Sequence, residues 1–217
     1  MASRRNKWVV TAEKYLTAAE IGQLKRYLSR NSQTVRARVT AFIVAMLLGT
    51  GMRASEFCGL SVDRCPGVLG VDAIKVKGKG GRERQIWIRP ELSGQIAEFV
   101  ENVRPQFVRR PMSKKDLTAP LLLTERGGPY DRRLMWQRVR NVCKRAGIAK
   151  RMYPHGLRHS YATWLYYWAD KDLLLVQKQM GHADINTTTV YAKLIDDEVV
   201  ERLGKADILS VRSALVV

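Results

Sequence analysis

Apolar positions recur with a helical period over the first sixty residues, change to a period of two near residue 74, and return to the helical period after residue 90. Thr17-Ala18-Ala19-Glu20 has the spacing of a capping box, and Leu16 with Ile21 supplies the flanking apolar staple. Ile21, Leu24 and Leu28 continue that stripe. Val35, Val39, Phe42, Ile43, Met46 and Leu47 predict a second helix, running into a stop or sharp turn at Gly49-Thr50-Gly51. A short helix is expected over Met52 to Leu60. Ile74 and Val76 then alternate with Lys75 and Lys77, and Ile86 and Ile88 with Gln85 and Trp87. The turn signal Gly78-Lys79-Gly80-Gly81 lies between them and makes the pair a β-hairpin, to which Ser61 to Arg64 adds a third, short strand.

Further along, Met135, Val139, Val142, Cys143 and Ala146 mark a helix face closed by Gly147. Pro154 opens a helix through Trp168, and Leu173 to Met180 form another, ended by Gly181. Asn186 or Thr187 caps a helix through Leu194, and Asp196 begins a last one. The expected fold class is mainly α with a small antiparallel β-sheet, an α+β arrangement. Residues 1–14 read as a basic arm, 15–194 as the main domain and 195–217 as a C-terminal tail. The tail carries Ile195, Val199 and Leu203 on one stripe that needs an apolar partner, either its own domain or a neighbouring subunit.

Charge adds a partner to this picture. Lys and Arg number 38 against 20 Asp and Glu, a formal net charge of +18. Residues 1–160 hold 32 basic and 12 acidic residues, whereas 161–217 hold 6 and 8. Such an excess suits a phosphate backbone, because Lys and Arg release condensed counterions when they neutralise it. The longest apolar run, Ala41 to Leu48, has eight residues, too short for a bilayer span. No apolar stretch follows the basic first seven residues, so no signal peptide is read. Three cysteines give no even disulfide framework and no C-x-x-C pair, which fits a reducing cytosol.

Three clusters could carry chemistry. In Thr50-Gly51-Met52-Arg53-Ala54-Ser55-Glu56, Arg53 and Glu56 share a helix face, so the carboxylate can orient the guanidinium. In His155-Gly156-Leu157-Arg158-His159-Ser160, an imidazole and a guanidinium stand together at a helix start, where anions are favoured. His155 and His159 have a zinc-like spacing but lack the Glu of H-E-x-x-H and further ligands, so His159 is read as a core residue. The third cluster is Met180-Gly181-His182-Ala183-Asp184 with Thr187-Thr188-Thr189-Val190-Tyr191.

In order, T-G-M-R-A-S-E, the hairpin G-K-G-G-R-E-R, H-G-L-R-H-S and M-G-H-A-D-I-N-T-T-T-V-Y-A-K resemble the motifs of the tyrosine recombinases, the phage-integrase type of site-specific recombinase. The resemblance covers roughly residues 15–200 and implies the catalytic-domain fold of that family. It implies that Tyr191 attacks a phosphodiester of double-stranded DNA to form a 3′-phosphotyrosine, with Arg53 and Arg158 holding the non-bridging oxygens. His155 and His182 complete the phosphate site, with His155 in proton transfer. Lys79 protonates the leaving 5′-oxygen, with Lys77 as a rival two residues away, and Glu56 supports Arg53. No metal or cofactor is implied, because cationic side chains replace the metal's charge.

The implied protein is a monomer when free and a homo-tetramer on two duplexes, cytoplasmic and nucleoid-associated. A type IB topoisomerase-like relaxing enzyme and a non-catalytic DNA-binding accessory protein are the alternatives. Two departures stand out. The family usually carries a separate helical DNA-gripping domain, where about 15 residues precede the first helix here. Met180 stands where Leu is commoner.

Overall fold

The structure, a computed structural model, describes residues 12–65, 73–77, 83–108 and 118–181. The helical pattern and the hairpin are both present, and the fold class is mainly α with a two-stranded antiparallel sheet. Helix α1 spans Ala18–Arg30 and opens on the expected capping box. Thr17 Oγ1 accepts from the Glu20 amide at 3.3 Å, and the Glu20 carboxylate accepts from the Thr17 amide at 2.8 Å. Helix α2, Val35–Thr50, is capped by Thr34 and ends on Gly51 in the left-handed region at φ 61°. Its Val39, Phe42, Ile43, Val44, Met46 and Leu47 are all buried, so it is apolar around most of its circumference. A helix of that kind belongs at the centre of a domain, and α2 packs against three later helices. These are α4 (Pro90–Glu98), α5 (Arg132–Arg145) and α6 (Pro154–Trp168).

Short helix α3 is Ala54–Cys58. Strands β1 (Ala73–Lys77) and β2 (Glu83–Trp87) pair with Ile74 opposite Ile86 and Val76 opposite Arg84. Ile74, Val76 and Ile86 face the core, while Lys75 and Lys77 are exposed on the other face. The last described helix, α7, is Leu173–Met180, capped by Asp172 and ended by Gly181 at φ 62°. A small satellite core of Tyr15, Ala162, Tyr166, Val176 and Met180 lies between α6 and α7.

One expectation needs correction. Ser61 to Arg64 is not a strand: Val62–Arg64 forms a 3-10 turn, and Ser61 makes only an isolated antiparallel bridge to Pro120. The Ser61 hydroxyl bonds the Asp63 carboxylate and the Cys65 amide bonds the Val62 carbonyl, so local bonds win over an extended conformation. The helical pattern expected after Pro90 is present and runs through three helical types. Helix α4 passes into a π turn at Phe99–Val103 and then a 3-10 turn at Arg104–Phe107. The change of pitch stacks Phe99 on Phe42, with ring centroids 3.8 Å apart, and buries Arg104 against the Pro120 carbonyl.

All three cysteines are free, and burial pushes the Cys65 and Cys143 thiols up to about 12. Among the described residues, no helix is long and apolar enough to cross a membrane. Lys79, His182, Tyr191, the expected helices beyond Asn186 and the 195–217 tail lie outside the described residues.

Candidate functional site

The chain leaves α2 through a shaped turn. Thr50 Oγ1 accepts from the Met52 amide at 3.2 Å and donates to the Met46 carbonyl. Gly51 carries the left-handed φ, and a side chain there would meet the Tyr161 ring at 2.3 Å and Met180 Sδ at 2.9 Å. Thr and Gly thus set the direction from which Arg53 enters α3. Glu56, in the first turn of α3, accepts from the Arg53 amide at 2.7 Å and from Arg53 Nη1 at 2.8 Å. The expected Arg53–Glu56 pair is therefore present. Its Glu56 side chain is 2% exposed and its Arg53 side chain 41%, so the guanidinium keeps an outward face.

Sequence reading missed the second partner of Glu56. Arg84 on β2 grips the carboxylate fork on fork, Nη1 on Oε1 and Nη2 on Oε2 at 3.0 Å. Burial works against the Glu56 charge, but bonds from Arg84 first, and then from Arg53, hold its carboxyl below the usual range. The principal support of Glu56 is thus Arg84. No local pattern could show this, because 28 residues separate the two.

Pro154 opens α6, and its first turn carries His155 and Arg158. Arg158 is buried, at 4% exposure. Its Nη1 donates to the Gly51 carbonyl and its Nη2 to the Met180 carbonyl at 2.8 Å. One guanidinium therefore ties the end of α2 to the end of α7, one residue short of the Gly181-His182 step. His155 remains accessible to solvent. Partial burial, followed by the positive charges of Arg158, Arg53 and Lys14, holds its imidazole below the ordinary value. His155, Arg53 and Arg158 therefore share one electropositive region.

His159 is buried as expected, but its Nε2 faces His155 Nε2 at 2.8 Å. A bond between two imidazole nitrogens needs one proton and one lone pair, so His159 fixes how His155 presents its ring. Acid would turn both nitrogens into donors. Because folding lowers the His155 pKa, the associated stability is complete above about 6.5 and is lost as pH falls below it. Melting temperature is expected to fall between pH 7.5 and 5.5, by about 2–4 °C per kcal/mol lost. His155→Gln should flatten that slope; equal slopes in variant and wild type would contradict the pairing.

Gln179 of α7 closes the assembly. Its Oε1 accepts from the Trp87 amide at 3.1 Å, its Nε2 donates to the Trp87 carbonyl at 2.5 Å, and its amide also meets Tyr161 Oη at 3.0 Å. The side chain pairs with β2 as a neighbouring strand would. All four motifs noted in the sequence therefore converge: the first through Gly51, Arg53 and Glu56, the hairpin through Arg84, the third through His155 and Arg158, and the last through Met180 and Gly181.

Comparison with known proteins agrees with this convergence. The profile of the phage integrase family matches residues 14–198. The chain belongs to the phage integrase family. Curated relatives include the proteins called tyrosine recombinase XerD from Staphylococcus saprophyticus and Staphylococcus aureus. Each is 32% identical over 157 residues, covering 72% of this chain and 50% of the relative. The chain thus spans about half the length of those relatives. Among solved structures, the XerA recombinase is 26% identical with a TM-score of 0.69, covering 88% of this chain and 64% of that one. The XerH site-specific recombinase, bound to palindromic difH substrate in a post-cleavage complex, has a TM-score of 0.73 at 22% identity. It covers 94% of this chain and 55% of XerH, a likeness of fold. The phage integrase match includes positions 79, 182 and 191, so the three expected site residues outside the described ones fall within it.

Proposed function

We propose that this chain is the catalytic unit of a site-specific DNA recombinase that cuts and rejoins strands through a 3′-phosphotyrosine. The observation that carries the reading is the meeting of Arg53, His155 and Arg158 in one electropositive region. Tyr191 attacks the scissile phosphorus, a P–O bond to tyrosine forms, and the P–O5′ bond breaks. A phenol near pKa 10 needs cationic surroundings and a base to attack at neutral pH. His155, its pKa lowered first by partial burial and then by its cationic neighbours, can accept that proton. Arg53 and Arg158 balance the charge that grows on the non-bridging oxygens. His182 joins them, and Lys79 delivers a proton to O5′. Ligation is the reverse, with no outside energy source, because the phosphotyrosine conserves the bond. The unit is residues 15–194, with 1–14 as a basic arm on DNA. The protein acts as a tetramer on two duplexes, the 195–217 stripe docking on a neighbour.

The test uses a pool of nicked duplexes with randomised flanks, in which cleavage beside the nick sheds a short 5′-hydroxyl fragment and strands the intermediate. Adducts that survive denaturation are recovered, their DNA is sequenced, and the attached peptide is mapped. The expected attachment is Tyr191; attachment elsewhere, or no adduct, would reject the reading.

The recovered site also separates the two lysines. A 5′-bridging sulfur leaves without protonation, so it should restore cleavage to Lys79→Ala. Lys77 ends β1 on its exposed face, where it can contact DNA backbone. Lys77→Ala should therefore gain nothing from sulfur, and the reverse pattern would reassign the acid.

A further inference from the structure

The Arg84 side chain is largely buried, at 14% exposure, yet the phosphodiester chemistry proposed above gives it no part. Three contacts define it. Its two terminal nitrogens cover both oxygens of Glu56, the carboxylate that also binds Arg53. Its stem lies on Gly181: a side chain there would sit 2.3 Å from Arg84 Cδ and 2.6 Å from Nε. Its strand is pinned to α7 two residues earlier in that helix, where Gln179 binds both backbone groups of Trp87. Arg84 therefore touches the hairpin, the Arg53 pair and the residue before His182 at once.

Charge gives the arrangement a purpose. Glu56 is a buried carboxylate that demands a cation. Were Arg53 alone to satisfy it, the pair would be neutral. With Arg84 present the cluster of two guanidiniums and one carboxylate keeps one net positive charge, and the exposed member carrying it outward is Arg53. A lysine could supply the charge but not the fork that covers both oxygens.

We propose that Arg84 is a positioning residue: it neutralises Glu56 so that the charge of Arg53 serves the DNA phosphate, and it registers the hairpin against Gly181, the residue before His182. This rests on the recombinase reading, so the experiment has one arm without DNA and one with it.

Without DNA, denaturant unfolding of Arg84→Gln, Glu56→Gln and the double variant forms a cycle. The double variant should be no less stable than the worse single, because removing the carboxylate removes the need for its partner. Additive losses would overturn the latch whatever the protein does to DNA.

With the duplex recovered by adduct capture, Arg84→Gln should cleave about a hundredfold more slowly. Arg84→Lys should fall between it and wild type. Glu83→Gln, which among the described residues loses a surface pair to Arg64, serves as the control and should stay near wild type. The decisive substrate has a neutral methylphosphonate at the scissile position, where less charge needs balancing. There the Arg84→Gln deficit should shrink by about tenfold or more. Equal deficits on both substrates, or an Arg84→Gln rate near wild type, would overturn the proposal. Should Arg84→Gln fail to fold, Arg84→Lys on the same two substrates decides it by the same criterion. A wild type that forms no adduct rejects the recombinase reading and, with it, the role toward DNA, while the unfolding cycle still judges the latch.

Discussion

Tyr191→Phe is expected to bind the recovered duplex as wild type does and to form no covalent adduct. The substitution removes one oxygen and keeps the ring, so it takes away the proposed nucleophile and little else. A substitute tyrosine is not to be expected from the described part of the site. Tyr161 stands beside the site, its ring lying against Gly51. Burial pushes its phenol above the ordinary value, outweighing the Gln179 bond and the Arg158 charge. Gel shift and denaturing gel on the same samples check both halves of the expectation. A normal adduct yield from Tyr191→Phe would remove the nucleophile from position 191.

The second large effect is at Arg158, where activity and stability should fall together. Arg158→Ala is expected to cut cleavage by about 10²–10³ through loss of charge balance at the phosphate. It also leaves the Gly51 and Met180 carbonyls without their donor in a buried place. Each orphaned group costs about 1–3 kcal/mol, and melting temperature should drop by roughly 10 °C. Arg158→Lys keeps a cation, but a single nitrogen cannot reach carbonyls on two helices as a fork does. It should recover part of the stability and little of the rate. Arg53→Ala offers the contrast. Its side chain is half exposed, and Arg84 remains on Glu56, so cleavage should fall with a much smaller change in melting. Scanning calorimetry beside cleavage rates distinguishes the two arginines. An Arg158→Ala protein as stable as wild type would show that the carbonyl bonds contribute nothing.

The parts legible in the sequence were those whose cause is local. Thr17 and Glu20 make a capping box within four residues, and the α2 stripe follows from its own spacing. Arg53, at the N-cap, and Glu56, in the first turn, sit three apart at the start of one short helix, so their pairing could be read directly. What escaped depends on segments far apart in the chain. Arg84 is one more polar residue on an exposed-looking strand until Glu56 arrives from α3. The i, i+4 spacing sets His159 beside His155 on one helix face, but it does not say which way the Nε2 turns, and His159 reads as plain core. The Ser61–Arg64 error has the opposite origin. Leu60 and Val62 alternate as a strand would, but three residues with a Ser-Asp bond fit a tight turn as well. A period of two over so few positions carries little information.

Arg158 has a consequence for how the protein comes apart. Its partners lie 107 and 22 residues away, at the ends of two different helices. No partly folded form that releases α2 or α7 can keep that guanidinium in place. Regions that open by themselves give up amide protection at low cost, whereas a site tied between segments so far apart opens only with the global transition. Amides at the α2 and α7 ends should therefore exchange as slowly as the slowest in the core. On heating, cleavage activity and helical signal should disappear over one common temperature range, with no inactive but folded species between them.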